Sequence, residues 1–200
     1  MMAGMGELIV LRHGETEWSA SGRHTGRTDI PLTPRGEAAA AALAPAMARR
    51  QICATFCSPA TRAVRTAQLA GLQDVKLDPD LWEWDYGGYE GRTTAQIQQD
   101  RPGWDLWRDG VIPGDAAHPG ETLGQVGART DAVLARAKPL LPEGDVVLVA
   151  HGHVLRVLAA RWLELHPDGG RLFRLDTGTC STLGTEHDCP VITSWNVPPP

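Results

Sequence analysis

Residues 8–18, LIVLRHGETEW, place an arginine, a histidine and a glycine directly after four consecutive apolar residues. A short apolar run that ends at a turn residue is typical of a buried strand in a parallel sheet. Such a strand would place Arg12 and His13 at its carboxyl end. Because ligands bind outside the carboxyl ends of the strands in open α/β sheets, we expect this exit to border a functional site.

Length and charge limit the classes of protein that the chain can belong to. The 200 residues are enough for one domain, predicted over residues 1–200 with a short Pro-rich C-terminal tail. The formal net charge of −5 gives no reason to expect nucleic acid as a partner, so any anion site must be built locally. No run approaches the ~18 apolar residues of a membrane helix, and the N-terminus lacks a targeting pattern. We therefore expect a cytoplasmic protein without membrane contact.

Short β-rich runs alternate with longer helical stretches along most of the chain. This alternation predicts an α/β fold in three layers, a doubly wound and mostly parallel sheet between helices. The predicted strands are Leu8–Leu11, Ile52–Cys57, Val75–Leu77 and Asp145–Ala150, followed by two late edge strands at Cys180–Thr185 and Val191–Trp195. The predicted helices run from Pro34 to about Arg50, Ser58 to Gly71, Thr93 to Asp100, Glu121 to Lys138 and about Val154 to Leu165. Residues 101–120 form a long insertion, interpreted as a lid or pocket wall.

Basic side chains follow three of the predicted strands. Arg12 and His13 follow the first strand, Arg62 lies just after the second, and His151 directly follows "DVVLVA". Right-handed crossovers would bring these exits to one edge of the sheet. Since buried unpaired cations are strongly disfavoured, the cluster predicts a dianionic phosphoryl ligand, which arginine binds bidentately.

Other phosphate chemistries fit the sequence less well. The chain has neither a G-x-x-x-x-G-K-[ST] loop nor a G-x-G-x-x-G loop after its first strand, so nucleotide-dependent chemistry is not expected. Cys57, five positions before Arg62, stays open as a minor alternative nucleophile.

Cys180 and Cys189 could meet across a hairpin, although free thiols are expected in the cytoplasm. No metal-ligand spacing stands out, and no metal or cofactor is expected.

Four segments in order resemble the signatures of the histidine phosphatase superfamily, which has the phosphoglycerate mutase-like fold. They are "LRHGETEW", "SPATRAVRTA", "LWEWDYGGYEG" and "VAHGHVLR". The segments "TEWSASGRHTGRTDIPLTPRGE" and "WRDG" to "GET" are most similar to a small phosphatase branch that includes sedoheptulose bisphosphatase and acid phosphatases.

The resemblance implies roles for five residues. His13 matches the nucleophile that takes up the phosphoryl group as phosphohistidine. Arg12, Arg62 and His151 match the groups that hold the phosphoryl oxygens and stabilise their charge. Glu83 matches the acid that protonates the leaving alkoxide and then activates water.

Two departures from the mutase pattern favour hydrolysis of the phosphohistidine over transfer of its phosphoryl group back to the substrate. Ser19 stands where mutases usually carry asparagine, and their "HGN" is His151-Gly152-His153 here. We expect a phosphatase for a small phosphorylated metabolite, such as a sugar bisphosphate, with a homodimer as a family-level expectation. A phosphoglycerate mutase and a non-catalytic phospho-ligand-binding module stay open as alternatives. The expected substrate-binding residues, with Arg23 or Arg108 for a second anion, are Ser19, Arg23, His24, Thr25, Gly26, Arg108 and Gly152.

Overall fold

A computed structural model describes residues 6–199, and its centre is a six-stranded sheet in the order β3-β2-β4-β1-β5-β6. The strands are β1 (Leu8–Arg12), β2 (Ile52–Cys57), β3 (Val75–Leu77), β4 (Asp145–Ala150), β5 (Cys180–Glu186) and β6 (Cys189–Val197). Strands β1 to β4 are parallel, β5 is antiparallel to β1, and β6 is antiparallel to β5. The predicted mostly parallel sheet is confirmed. Expectations that concern residues 1–5 and 200 lie outside the described residues.

Eight α-helices and three 3₁₀ helices connect the strands within residues 6–199. The α-helices are α1 (Glu17–Ala20), α2 (Pro34–Ala42), α3 (Ala44–Met47), α4 (Thr61–Leu69), α5 (Thr94–Asp100), α6 (Leu106–Asp109), α7 (Leu123–Ala137) and α8 (Gly152–Trp162). The 3₁₀ helices are Pro79–Leu81, Lys138–Glu143 and Pro167–Leu172. No helix in this part of the chain is both long enough and apolar enough to cross a membrane.

Three predicted helix boundaries are corrected. The helix that begins at Pro34 breaks after Ala42, because Pro45 has no N–H with which to continue the ladder. Helix α4 begins at Thr61, three residues later than predicted, and Ser58 is left with a buried hydroxyl in the preceding turn. Helix α8 begins at Gly152, two residues earlier than predicted.

The two faces of the sheet are both covered by apolar clusters. Val146, Leu148 and Ala150 of β4 pack on the side of α7 and α8, whereas Val147 and Val149 pack on the side of α3 and α4. All six residues of β4 are buried. Successive side chains of β4 therefore pack into two different apolar clusters, one on each face of the sheet. This explains why the strand is apolar at every position from Val146 to Ala150 instead of alternating between apolar and polar residues.

The cysteine pairing considered for the last hairpin is wrong. Cys180 is opposite Val197 and Cys189 is opposite Glu186, so the two thiols lie at opposite ends of the β5-β6 ladder. Cys53, Cys57, Cys180 and Cys189 are all free. The expectation of free thiols is confirmed, although only Cys57 is fully buried.

The loop after β1 passes directly over the start of α2. A Cβ atom at Gly36 would lie 2.2 Å from the Glu15 carbonyl oxygen, and one at Gly14 would lie 2.3 Å from the Gly36 carbonyl oxygen. These distances leave no room for a side chain at either position. The two glycines thus fix the path of the chain that follows His13.

We predict that Gly36→Ala lowers the free energy of unfolding by about 1–3 kcal/mol, because the methyl group forces two backbone segments apart. Gly124→Ala is the matched helical control, since the nearest atom to its added Cβ is 3.9 Å away. It should leave stability unchanged or raise it by up to about 1 kcal/mol. Urea denaturation measures both changes, and equal effects of the two substitutions would contradict the close approach.

Candidate active site

The carboxyl ends of β1, β2 and β4 meet at one edge of the sheet, as predicted. Arg12 at the end of β1 is in register with Ala150 at the end of β4, and Cys57 of β2 is in register with Val149. Past the strand ends, the His13 N–H donates to the Ala150 carbonyl at 3.0 Å. The Ser58 N–H donates to the Val149 carbonyl at 2.9 Å. The sheet therefore delivers His13, Ser58 and His151 to one small volume.

His13 lines a cavity of about 330 Å³. Its Nδ1 is 2.7 Å from the Gly14 carbonyl oxygen, which only accepts hydrogen bonds, so Nδ1 carries the proton and Nε2 keeps a lone pair. Burial, reinforced by the charges of Arg62 and Arg12, holds the pKa of His13 well below its usual range. The imidazole is consequently neutral and nucleophilic at physiological pH.

Arg62 and His151 lie together behind the cavity wall rather than on its surface. The Arg62 Nε donates to His151 Nδ1 at 3.1 Å, so His151 carries its proton on Nε2, 2.7 Å from the Ser58 hydroxyl. The His13 and His151 rings are 5.1 Å apart, centroid to centroid. Burial, together with the charges of Arg62 and other neighbours, holds the pKa of His151 well below its usual range. Ser58 was missed as a site residue, although its position after β2 is the available signal.

The side chain of Arg12, the residue before His13, lines the same cavity. Its Nη1 donates to the Leu175 carbonyl at 2.5 Å, while its buried Nε has no hydrogen-bond partner in the described part of the chain. A Cβ at Gly152 would approach the Arg12 Cζ to 3.1 Å, so glycine leaves this guanidinium its place. A buried donor without a partner is uncommon in folded proteins.

Glu83 lines the same cavity, next to the N-terminus of α8. Its Oε1 accepts hydrogen bonds from the N–H groups of Trp84 and Val154, both at 2.9 Å. Its Oε2 accepts from the His153 N–H at 3.0 Å. The side chain of Glu83 is 6% exposed. These three donors fix the orientation of the carboxylate at the cavity wall.

The expected substrate-binding residues divide into two groups. Ser19, Arg23, His24, Thr25 and Gly152 line the cavity. Gly26 does not; its N–H is bound by the Glu90 carboxylate, and its carbonyl accepts from Arg62. Arg108 lies outside the cavity as well, because its guanidinium binds Asp109 and the Gly103 carbonyl.

Several residues that line the cavity were not expected to bind substrate, among them Tyr86, Thr94, His153 and Arg156. Arg156 lies one helical turn beyond Gly152 on α8, so helical spacing from the "HGH" motif is the signal that could have found it. Its hydrogen bonds go to the Gly170 and Arg171 carbonyls, and its Cζ is 4.7 Å from the ring centroid of Trp107. The Tyr86 hydroxyl lies 2.6 Å from His153 Nδ1.

The insertion at residues 101–120 was interpreted as a lid or pocket wall. It contributes Trp104 and Trp107 to the wall of the cavity.

The alternative nucleophile Cys57 is excluded by its surroundings. Its thiol is buried and donates to the Ser58 carbonyl. Burial raises its pKa to about 12, so the nucleophilic thiolate is not formed at neutral pH. Within residues 6–199, no group of three histidine, cysteine or acidic side chains is arranged to hold a metal ion.

Comparison with known proteins places this site in a family. The model of the histidine phosphatase superfamily (branch 1) matches residues 8–198. An acid phosphatase of Mycobacterium tuberculosis is 38% identical over 90% of this chain and 87% of its own length. A sedoheptulose 1,7-bisphosphatase of Saccharomyces cerevisiae is 39% identical over 78% of this chain and 67% of its own length. A probable phosphoglycerate mutase of Cronobacter sakazakii is 30% identical over 96% of this chain and 90% of its own length.

The architecture of a solved structure agrees with that assignment. The structure of an open-reading-frame product of Mycobacterium tuberculosis superposes with a TM-score of 0.90 at 35% identity. The match covers 98% of this chain and 99% of that one. The predicted phosphoglycerate mutase-like fold is thus confirmed over nearly the whole chain.

The tautomers and charge states of His13 and His151 give a direct prediction. Long-range ¹H–¹⁵N spectra at pH 6 should show neutral His13 protonated on Nδ1 and neutral His151 protonated on Nε2. The two histidines have lower pKa values in the folded chain than in the unfolded chain, so the unfolded chain binds more protons at acidic pH. The free energy of unfolding should therefore fall as the pH drops below about 6.5. A His13 ring that is charged at pH 6 would contradict the lowered pKa.

Proposed function

The chain belongs to the histidine phosphatase superfamily, and we propose that it hydrolyses a small phosphorylated metabolite, without a metal ion, through a phosphohistidine at His13. The observation that carries this proposal is the neutral His13 ring, which keeps a lone pair on Nε2 and lines the same cavity as the Arg12 guanidinium. An uncharged nucleophile next to fixed positive charge suits attack on a phosphate dianion.

In the first step, His13 Nε2 attacks phosphorus in line with the leaving oxygen. A P–N bond forms as the P–O bond breaks, and the Nδ1–H bond to Gly14 stabilises the positive charge that develops on the ring. Arg12 binds the phosphoryl oxygens from the cavity wall, while Arg62 and His151 act from behind it. Their fixed charge and dipoles stabilise the transition state at no cost in reorganisation.

Glu83 supplies the proton that an alkoxide leaving group requires. Its carboxylic acid form transfers a proton to the departing oxygen and becomes a carboxylate. In the second step this carboxylate removes a proton from water as the water attacks phosphorus. The P–N bond then breaks, inorganic phosphate leaves, and both His13 and Glu83 return to their initial states.

Hydrolysis is favoured over the mutase reaction. The relatives at 38% and 39% identity are named phosphatases, whereas the mutase relative is 30% identical. Ser19 Oγ is engaged in the cap of α1, where it donates to the Thr16 carbonyl and accepts from the Thr16 N–H. A side chain held in this way is less available to bind phosphoglycerate while the phosphoryl group is transferred back to it, as a mutase requires.

The cavity wall supports a sugar bisphosphate as substrate. Arg156 lies four residues beyond Gly152, or about 6 Å along α8, where it can bind a second anion. Its partly buried guanidinium is bound by neutral carbonyl groups rather than by a carboxylate. Trp104 and Trp107 give the space between the two anion positions an aromatic wall. The relative named sedoheptulose 1,7-bisphosphatase points to the same substrate class.

The activity is tested by phosphate release in EDTA from a panel of sugar bisphosphates, sugar monophosphates, 3-phosphoglycerate and p-nitrophenyl phosphate. We expect release from one bisphosphate to be fastest, and His13→Ala to lower kcat by at least about 10³-fold. His166→Ala is the control, because that side chain is 78% exposed. Unchanged turnover in His13→Ala would refute the mechanism, and isomerisation of 3-phosphoglycerate without phosphate release would establish a mutase.

Arg156→Met tests the second anion site. Loss of a charged hydrogen bond should lower kcat/KM for the preferred bisphosphate by roughly 10- to 100-fold. The value for p-nitrophenyl phosphate, which has no second anion, should stay nearly constant. Arg108→Met is the matched control and should affect neither substrate. A loss in Arg108→Met, or an equal loss on both substrates in Arg156→Met, would refute the assignment.

A further inference from the structure

Arg129 of α7 does not line the catalytic cavity, yet it binds the segment that carries Glu83. Its Nη1 donates to the Asp80 carbonyl at 2.8 Å and to the Trp82 carbonyl at 2.5 Å. Its Nη2 donates to the Glu83 carbonyl at 3.1 Å. One guanidinium thus holds three backbone carbonyls within four consecutive residues.

Glu121 completes this arrangement from the same side. Its carboxylate accepts both Arg129 Nε at 2.8 Å and Arg129 Nη2 at 2.9 Å, which is the bidentate geometry of a strong pair. The Asp85 N–H donates to the same carboxylate at 2.9 Å, and Trp84 Nε1 donates to the Glu121 carbonyl at 2.9 Å. The side chains of Arg129 and Glu121 are only 12% and 15% exposed.

The pair therefore binds the backbone on both sides of Glu83. Arg129 holds the carbonyls of Trp82 and Glu83, and the Glu121 carboxylate holds the Asp85 N–H. Trp84 is bound through its indole N–H, by the Glu121 main-chain carbonyl. On the opposite side, the N–H groups of His153 and Val154 hold the Glu83 carboxylate. Glu83 is consequently held at its main chain by α7 and at its carboxylate by α8.

We propose that the Arg129–Glu121 pair positions Glu83 for proton transfer to the leaving group. This inference rests on the proposed role of Glu83 as the acid. Misplacement of a reacting group by about 1 Å can cost about 10²-fold in rate. Loss of the pair should therefore slow the reaction of substrates whose leaving group must be protonated. It should have little effect on substrates whose leaving group departs without a proton.

Arg136 of α7 provides a matched control. It binds the Asp78 and Asp80 carboxylates at 2.8 and 2.7 Å, in the same connecting segment. Its side chain is 42% exposed, and its hydrogen bonds reach none of residues 82–85. Arg136→Lys thus perturbs an ion pair of α7 with this segment without releasing the backbone of Glu83.

The experiment compares kcat/KM for an alkyl phosphate with that for p-nitrophenyl phosphate, whose nitrophenolate leaves without a proton. Because kcat/KM covers the steps up to departure of the leaving group, it isolates the role of the acid. We expect Arg129→Lys to lower the alkyl phosphate value by roughly 10- to 100-fold and the nitrophenyl value far less. Arg136→Lys should change neither. Glu121→Gln is the second variant if Arg129→Lys does not fold, and it should show the same selectivity.

Glu83→Gln separates the failure of the proposed function from the failure of this inference. If Glu83→Gln lowers both values equally, the acid role fails and the inference falls with it. If Glu83→Gln is selective while Arg129→Lys and Glu121→Gln are not, the inference alone is refuted. In the Glu83→Gln background, Arg129→Lys should add almost no further loss on the alkyl phosphate, because the two residues act on one step.

Discussion

The His13 ring has to keep a lone pair on Nε2 in a site built to attract two negative charges. Burial and the neighbouring guanidinium groups keep the ring neutral, and the hydrogen bond from Nδ1 to the Gly14 carbonyl decides which nitrogen is free. On the proposed mechanism, the same positive charge that keeps the ring uncharged also binds the phosphoryl group. Nucleophile and anion site are therefore one electrostatic arrangement, and the rest of the structure holds it in place.

The parallel sheet provides that support through its register. Since β4 lies between β1 and β2, the chain segments that follow these three strands are neighbours although they are far apart in sequence. The Gly14 and Gly36 contact fixes the loop after His13, and Gly152 leaves space for Arg12. On the proposed mechanism, Glu83 comes from a connecting segment instead of a strand exit, which is why it needs α7 and α8 to hold it.

The sequence predicted the parts of the site that lie at strand exits, because an apolar run followed by a basic residue is a local signal. Arg12, His13 and His151 were predicted in this way to lie close together, and Arg62 joins them from the first turn of α4. Of the two arginines expected to bind a second anion, Arg23 lines the cavity and Arg108 does not. Arg156 was not expected to line it, because packing decides which helical arginine faces the cavity. The start of α4 was misjudged because Ser58 looks like a helix cap but instead binds His151. The single domain, the cytoplasmic location and the homodimer stay predictions.

The stereochemical course at phosphorus tests the central claim most directly. A substrate made chiral at phosphorus with three oxygen isotopes would be used to phosphorylate an acceptor alcohol, and the configuration of the product would be read by ³¹P NMR. Two in-line displacements, the first by His13, predict overall retention. Inversion would mean a single direct displacement, and the account of His13 as the nucleophile would be wrong.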